Sequence, residues 1–415
     1  MFERIGKFIE SKIAPPLIAV SENAYLTAIR DGLTAVMPFF IAGSIFLLIA
    51  FFPNDAWGKL IEPYQDLLLD PFRLTMGIVS MYLAFAVGYS LARARDVKPL
   101  TGGLLSAMSF FLLAAPMVEG QINAGYLASP GIFTAILVSI LAVEVTRFLN
   151  KHNVVIRMPE GVPPAVASAF ESLVPIFVLI LFTWGIHTLA KVDVPGLVIK
   201  AFAPLVVAAD SVIAPVVMSV VEMALWFVGI HGASVIEVGV LNPFLLGNLG
   251  ANQAARMAGQ PMPHIFVPPF SDFYLTIGGC GAMLVVPFIL MTCRSKRLRR
   301  LGPLTLVPAI FGINEPILFG MPMILNPLFL LPMLVAQALN GVIAYLVTEV
   351  GLVGRMFVAL PWSTPAPIGS YLATGGDWRA AVLTIVLALI AGAIYLPFVR
   401  IYDRKLVEQE RAEKA

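Results

Sequence analysis

Five long runs between Gly32 and Ala190 carry no Asp, Glu, Lys or Arg: Gly32 to Phe52, Leu74 to Leu91, Leu100 to Val118, Tyr126 to Val143 and Leu173 to Ala190. A helix needs about 20 apolar residues to cross the hydrocarbon core of a bilayer, and each run reaches that length with some tilt or interfacial help. They read as transmembrane helices. The composition agrees, because of 415 residues only 13% are charged and 59% are hydrophobic, whereas about a quarter of a soluble domain is charged. Such a chain is an integral membrane protein in contact with the lipid bilayer. The same scarcity of charge excludes a basic nucleic-acid binder, an acidic disordered tail and a secreted disulfide scaffold.

The segments between the runs alternate in character. Arg93, Arg95 and Lys98 follow the second run and Arg147, Lys151 and Arg157 follow the fourth, while the loop after the first is acidic on balance and the loop after the third holds only Glu119. Lys and Arg resist translocation, so the N-terminus and the second and fourth loops belong on the cytoplasmic side. The basic run Arg294 to Arg300 and the mixed-charge tail from Arg400 place the C-terminus there too. An even number of crossings follows, and about ten fits the length. Residues 1–30 are amphipathic, without the apolar core and cleavage site of a signal peptide, and read as a segment lying on the cytoplasmic face.

The texture changes after Asp193. Residues 194–210, with Lys200 and Pro204 inside a moderately apolar piece, suit an amphipathic linker helix better than a span. Beyond it the apolar stretches are interrupted by Asp210, Glu222, His231, Glu237, Asn242, Asp272, Asn314, Glu315 and a Trp362 to Pro367 segment. An ionised side chain at mid-bilayer costs about 2.5 to 3.5 kcal/mol even on the lenient insertion scale, and irregular backbone is tolerated there only where it is buried in protein or lines a cavity. Broken helices around a polar site are therefore expected. The uncharged stretch from Pro316 to Thr348 exceeds one span, and Pro322, Pro327 and Pro332 are expected to break it. Pro316 places Glu315 at the mouth of a helix N-terminus. Gly232 reads as the stop of the helix through Trp226, which would put His231 at a negative helix end.

Cys280 and Cys293 form neither a CxxC pair nor a zinc pattern and read as buried apolar residues. The four histidines, His152, His187, His231 and His264, are scattered and no H-E-x-x-H occurs, which argues against an intramembrane metallohydrolase. No metal and no cofactor is expected.

Four motifs stand in order: Trp226-Phe227-Val228-Gly229-Ile230-His231-Gly232, Pro263-His264-Ile265-Phe266, Gly312-Ile313-Asn314-Glu315-Pro316-Ile317-Leu318-Phe319-Gly320, and Trp362 to Pro367 followed by Gly375-Gly376-Asp377-Trp378-Arg379. Together they resemble the membrane-embedded C component of enzyme II of the bacterial phosphoenolpyruvate-dependent sugar phosphotransferase system, in its lactose/cellobiose/diacetylchitobiose branch. The resemblance implies an all-α polytopic fold of about ten transmembrane helices with two re-entrant hairpins. It implies a homodimer in the bacterial cytoplasmic membrane, with residues 31–193 as a five-helix scaffold and dimerisation domain, 194–210 as linker, 211–402 as a moving transport domain and 403–415 as a cytoplasmic tail. It further implies uptake of a β-linked disaccharide whose 6-hydroxyl is phosphorylated while bound. The donor would be a phosphocysteine on a B component, itself charged by an A component. Fused relatives carry B on the same chain; here no cysteine sits in a suitable solvated loop, so B is expected to be separate.

Phosphoryl transfer asks chiefly for positioning and control of charge. Glu315 is the candidate base for the attacking hydroxyl, and His231 is the candidate to hydrogen-bond or stabilise it. Trp362 offers an apolar face to a pyranose ring, and Asn314, Asn242 and Asp272 are candidate hydroxyl ligands. His264 lies in a Pro-flanked loop where its backbone is expected to matter more than its ring. An ion-coupled secondary sugar transporter would use the same broken helices and buried carboxylates; the motif match alone separates the two.

Overall fold

The computed structural model describes residues 23–412 apart from 53, 119, 160 and 163. Residues 1–22, most of the expected N-terminal amphipathic segment, lie outside the described residues, as do Glu119 and 413–415 of the tail. The described residues are mainly helical, and their only strands are the two-residue pair Met117–Val118 and Gln121–Ile122.

Helix α1, Ala24–Ala50, starts at Asn23, whose side chain accepts from the Tyr25 and Leu26 amides. It is followed by α2 Gln65–Thr75, α3 Val79–Ala94, α4 Pro99–Ala114, α5 Ile132–Lys151 and α6 Pro164–Trp184. Of these, α1 and α3 to α6 answer to the five uncharged runs, while α2 lies in the charged loop after the first. The offsets are largest where charged side chains extend a helix: Arg30 and Asp31 in the start of α1, Glu144 and Arg147 in the end of α5, and Glu171 in the start of α6. Glu144 takes hydrogen bonds from Tyr25 and Arg147 and pairs with Arg95, so the start of α1 and the ends of α3 and α5 meet on one side. Small residues let these helices approach closely. A Cβ on Gly88 would lie 2.1 Å from Ser106 Oγ, and one on Gly32 would lie 2.5 Å from Val87 Cγ2.

The next helix, α7 Val194–Ala209, has Asp193 as its N-cap and Pro195 in its first turn. It meets α8, Ile213–Phe227, at 77°. Asp210 sits at the corner, where its Oδ1 accepts from the Ile265 and Phe266 amides, its Oδ2 lies 2.8 Å from His264 Nδ1, and its carbonyl accepts from Tyr345 Oη. Both backbone groups of His264 are bonded to Asn252.

Past this corner the helices are broken. The order is α9 Gly232–Ile236, a π-turn Glu237–Leu241, α10 Asn242–Met257, a second π-turn Ser271–Leu275, α11 Val286–Met291 and α12 Lys296–Ile310. Then come α13 Glu315–Gly320, α14 Pro327–Glu349, α15 Ala366–Ala373 and α16 Trp378–Ala412. The Pro316–Thr348 stretch does divide into a half-helix and a span, at Met321 to Asn326. Pro322 and Pro327 flank that division, but Pro332 lies inside α14 and breaks nothing. The basic turn Arg294–Ser295 is pinned to the end of α16, where Asp403 accepts both backbone amides.

Among the described residues seven helical stretches are long and apolar enough to cross a membrane, and eight if the 77° pair is one crossing. A count of ten needs shorter pieces such as the 16-residue α4. Large apolar side chains including Leu104, Phe177, Leu331 and Leu389 are exposed on the outside, the arrangement of a protein solvated by lipid. One apolar core joins α1 to α5 with Leu245, Phe266, Phe273 and Phe357, and a second, around Met283, Met333 and Tyr395, belongs to the C-terminal half.

Candidate functional site

His231 owes its place to the glycine before it rather than the one after. Helix α8 ends at Phe227, and Gly229, at φ +83°, takes the left-handed position that terminates it. Gly232 opens α9, and His231 is the N-cap of that helix, so the expected negative helix end is corrected to a positive one. Gly232 is required there for a different reason: its Cβ would lie 2.2 Å from the Glu222 carbonyl oxygen. The His231 Nδ1 accepts from the Ser234 amide at 3.2 Å, which puts the ring proton on Nε2 and leaves that nitrogen as a donor. The Trp226 ring lies against the imidazole, with centroids 4.6 Å apart. A side chain that caps a helix and packs on an aromatic face presents a fixed donor.

Glu315 is held from the other side. As expected, it is the first residue of a helix, α13, with Pro316 second and Asn314 before it. Asn314 is buried, and its Nδ2 donates to the Cys280 carbonyl at 2.5 Å. That carbonyl belongs to a turn in which Gly278, Gly279, Gly281 and Ala282 all have positive φ. Only glycine adopts such backbone without cost, and at Gly279 a Cβ would also meet that of Asn314 at 2.6 Å. The amide of Asn314, a candidate hydroxyl ligand, is therefore committed to the protein, and its Oδ1 is the group left to a ligand.

One cavity of about 340 Å³ is lined by all six candidates, His231, Asn242, Asp272, Asn314, Glu315 and Trp362. Its size falls within the range of small-molecule sites, which run from about 300 to 1,000 Å³. The polar members come from separate breaks: His231 from the start of α9, Asn242 from the first residue of α10, Asp272 from the second π-turn, and Asn314 and Glu315 from the start of α13. Trp362 is exposed into it, with its ring beside Gly312. Residues absent from the sequence-based set also line it, including Glu237 in the first π-turn, Cys280, and Met37 and Ile41 of α1. The Glu237 carboxylate was visible as an intramembrane charge. The α1 residues left no signal, because two apolar residues in a clean span look like lipid-facing ones.

A second cavity, of about 420 Å³, is walled mainly by apolar groups, with Phe133, Phe202 and Phe244 in mutual contact. It lacks the convergent carboxylates of the first. Cys280 is half-buried, packed against the second core and lining the polar cavity, while Cys293 is buried in that core. Burial, and after it the Asp403 carboxylate, pushes the Cys293 thiol up to about 11, so it is an inert thiol at neutral pH. Among the described residues no group of three or more His, Cys, Asp or Glu side chains is placed to hold a metal ion.

Residues 30–336 match the family described as "Phosphotransferase system, EIIC". The lichenan permease IIC component of Bacillus subtilis (strain 168) is 33% identical, over 98% of this chain and 95% of its own length. The lactose-specific EIICB component of Staphylococcus haemolyticus (strain JCSC1435) is 35% identical, over 95% of this chain and 70% of its own length. The crystal structure of the transporter ChbC, the IIC component of the N,N'-diacetylchitobiose-specific phosphotransferase system, superimposes with a TM-score of 0.92 at 33% identity. It covers 97% of this chain, which spans 99% of it. A multi-pass helical membrane protein whose helices break around one polar cavity, this chain belongs to the EIIC family of the sugar phosphotransferase system.

Proposed function

We propose that the chain is the membrane permease of a phosphotransferase system for a β-linked disaccharide of the cellobiose, lactose or diacetylchitobiose class, and that the sugar is phosphorylated in the 340 Å³ cavity. The observation that carries this reading is the position of Glu315, a carboxylate at the start of a half-helix, in one cavity with His231, Asn242, Asp272 and Trp362. The named relatives handle lichenan, lactose and diacetylchitobiose, which supports the substrate class.

In the proposed step the sugar O6 attacks the phosphorus of a phosphocysteine on a B component, which an A component recharges. The P–O6 bond forms, the S–P bond breaks, the thiolate leaves, and the O6 proton passes to a Glu315 carboxylate oxygen. His231 Nε2–H donates to the same sugar hydroxyl or to a neighbouring one. The Trp362 ring lies against a pyranose face, and Asn242, Asp272 and the Asn314 Oδ1 take the remaining hydroxyls. Neither cysteine of this chain is exposed, which favours a donor on B.

Met37 and Ile41 of α1 form part of the cavity wall. An elevator-like displacement of residues 211–402 against a homodimeric scaffold of residues 31–193 would open that wall. The positive-inside rule places both termini in the cytoplasm.

The test has two arms. Calorimetry with cellobiose, lactose, diacetylchitobiose and aryl β-glucosides is expected to show binding for at least one of them. With purified A and B components, Glu315→Gln is expected to keep that binding within about tenfold and to lose about 10²-fold to 10⁴-fold in sugar phosphorylation, the usual contribution of a general base. Phosphorylation at the wild-type rate would show the base assignment to be wrong. Uptake into vesicles that needs no phosphoenolpyruvate and collapses with an uncoupler would replace the reading with an ion-coupled transporter.

A further inference from the structure

Behind the cavity, and not lining it, two side chains meet at Gly281. Gln337, in the middle of α14 and fully buried, accepts from the Gly281 amide through Oε1 at 2.6 Å and donates through Nε2 to Glu222 Oε2 at 2.7 Å. Tyr395, from α16 and also fully buried, donates to the Gly281 carbonyl at 2.8 Å. Both backbone groups of this glycine are thus held by side chains of other helices. The preceding carbonyl, that of Cys280, receives the Asn314 amide immediately before Glu315. On the other side Glu222 lies in α8, the helix that leads to His231, and its own carbonyl packs against Gly232.

We propose that Gln337 is a positioning residue for phosphoryl transfer: it braces the helix that leads to His231 against the turn that fixes Asn314 and Glu315. The proposal rests on the reading of Glu315 as the base. The physical reason is the left-handed turn Gly278 to Ala282, which has no helical ladder of its own. Its placement relative to α8 depends on the amide bridge. A buried bridge of this kind holds its geometry because each partner left unpaired would carry a desolvation cost. Gln337 touches no part of the cavity, so its loss shifts Glu315 without removing any sugar contact. A displacement near 1 Å in a reacting group costs about 10²-fold in rate.

The test uses the full-length protein in membranes or detergent with purified A and B components. Gln337→Leu is expected to lower the kcat of sugar phosphorylation by about 30-fold to 100-fold, while the sugar Kd stays within about threefold. The reciprocal exchange Glu222→Gln/Gln337→Glu keeps one amide and one carboxylate in contact and an acceptor for the Gly281 N–H. It is expected to recover kcat to within about threefold of wild type, whereas either single substitution does not. A Gln337→Leu protein with wild-type kcat overturns the proposal. So does a parallel loss of kcat, sugar binding and melting temperature that the exchange fails to recover, because that is the signature of a residue needed only for folding. Glu315→Gln runs alongside. If it keeps the wild-type rate, the base reading falls and takes the proposal with it; if it is inactive while Gln337→Leu is unimpaired, the positioning proposal alone fails.

Discussion

In α5 and α6, buried Thr146 and Thr183 turn their hydroxyls back onto the carbonyls of Ala142 and Leu179, four residues earlier in the same helix. After Ile213 the buried polar groups reach much further. Asn252 donates to Met356, Gln337 to Glu222, and the Gly281 amide to Gln337, over 104, 115 and 56 positions. Both solutions satisfy polar groups in a medium that offers no water. The local one leaves the helix intact and needs no partner elsewhere. The long-range one frees helix ends for a ligand, and it makes each group depend on a packing arrangement that several segments share.

Substitutions matched across the two regions can break or sharpen this contrast. The largest effect is expected from Gly279→Ala, where φ of +98° and a Cβ contact of 2.6 Å with Asn314 combine. Backbone strain and overpacking together should cost about 2 to 5 kcal/mol of stability. The displaced Asn314 should lower phosphorylation in the fraction that still folds, read from thermal melts and kcat on the same preparation. Gly88→Ala meets Ser106 Oγ at 2.1 Å and should cost about 1 to 3 kcal/mol. Because α3 and α4 carry no reacting group, kcat per folded molecule should not change. Equal loss of kcat in the two variants would erase the distinction drawn between the regions. The smallest effect is expected for Cys280→Ala and Cys293→Ala, which should phosphorylate sugar within about threefold of wild type. Abolition by either would move the phosphoryl donor onto this chain.

The same contrast explains what could be read from sequence. Uncharged runs locate α1 and α3 to α6 because a lipid-facing helix states its case residue by residue, and the ends drift most where charged residues extend the helix: Arg30 and Asp31 in α1, Glu144 and Arg147 in α5, and Glu171 in α6. The Pro316–Thr348 stretch was legible from length alone. Intramembrane charges, the Asn242-Pro243 and G-I-N-E-P breaks and the Trp362 to Pro367 motif point to all six residues that share the 340 Å³ cavity. The helix end at His231 is not legible because two glycines flank Ile230-His231: Gly229, left-handed at φ +83°, ends α8, whereas Gly232 packs on the Glu222 carbonyl and opens α9. The bridge through Gln337 is invisible too: a glutamine inside an apolar span says nothing about a partner 115 positions away.

The 77° corner between α7 and α8 is a stiff bracket. Asp210 grips the backbone of Ile265 and Phe266 and the ring of His264, while Tyr345 grips Asp210. Torque applied along Val194–Ala209 is handed to the Pro263–Val267 segment and is not absorbed in the bend.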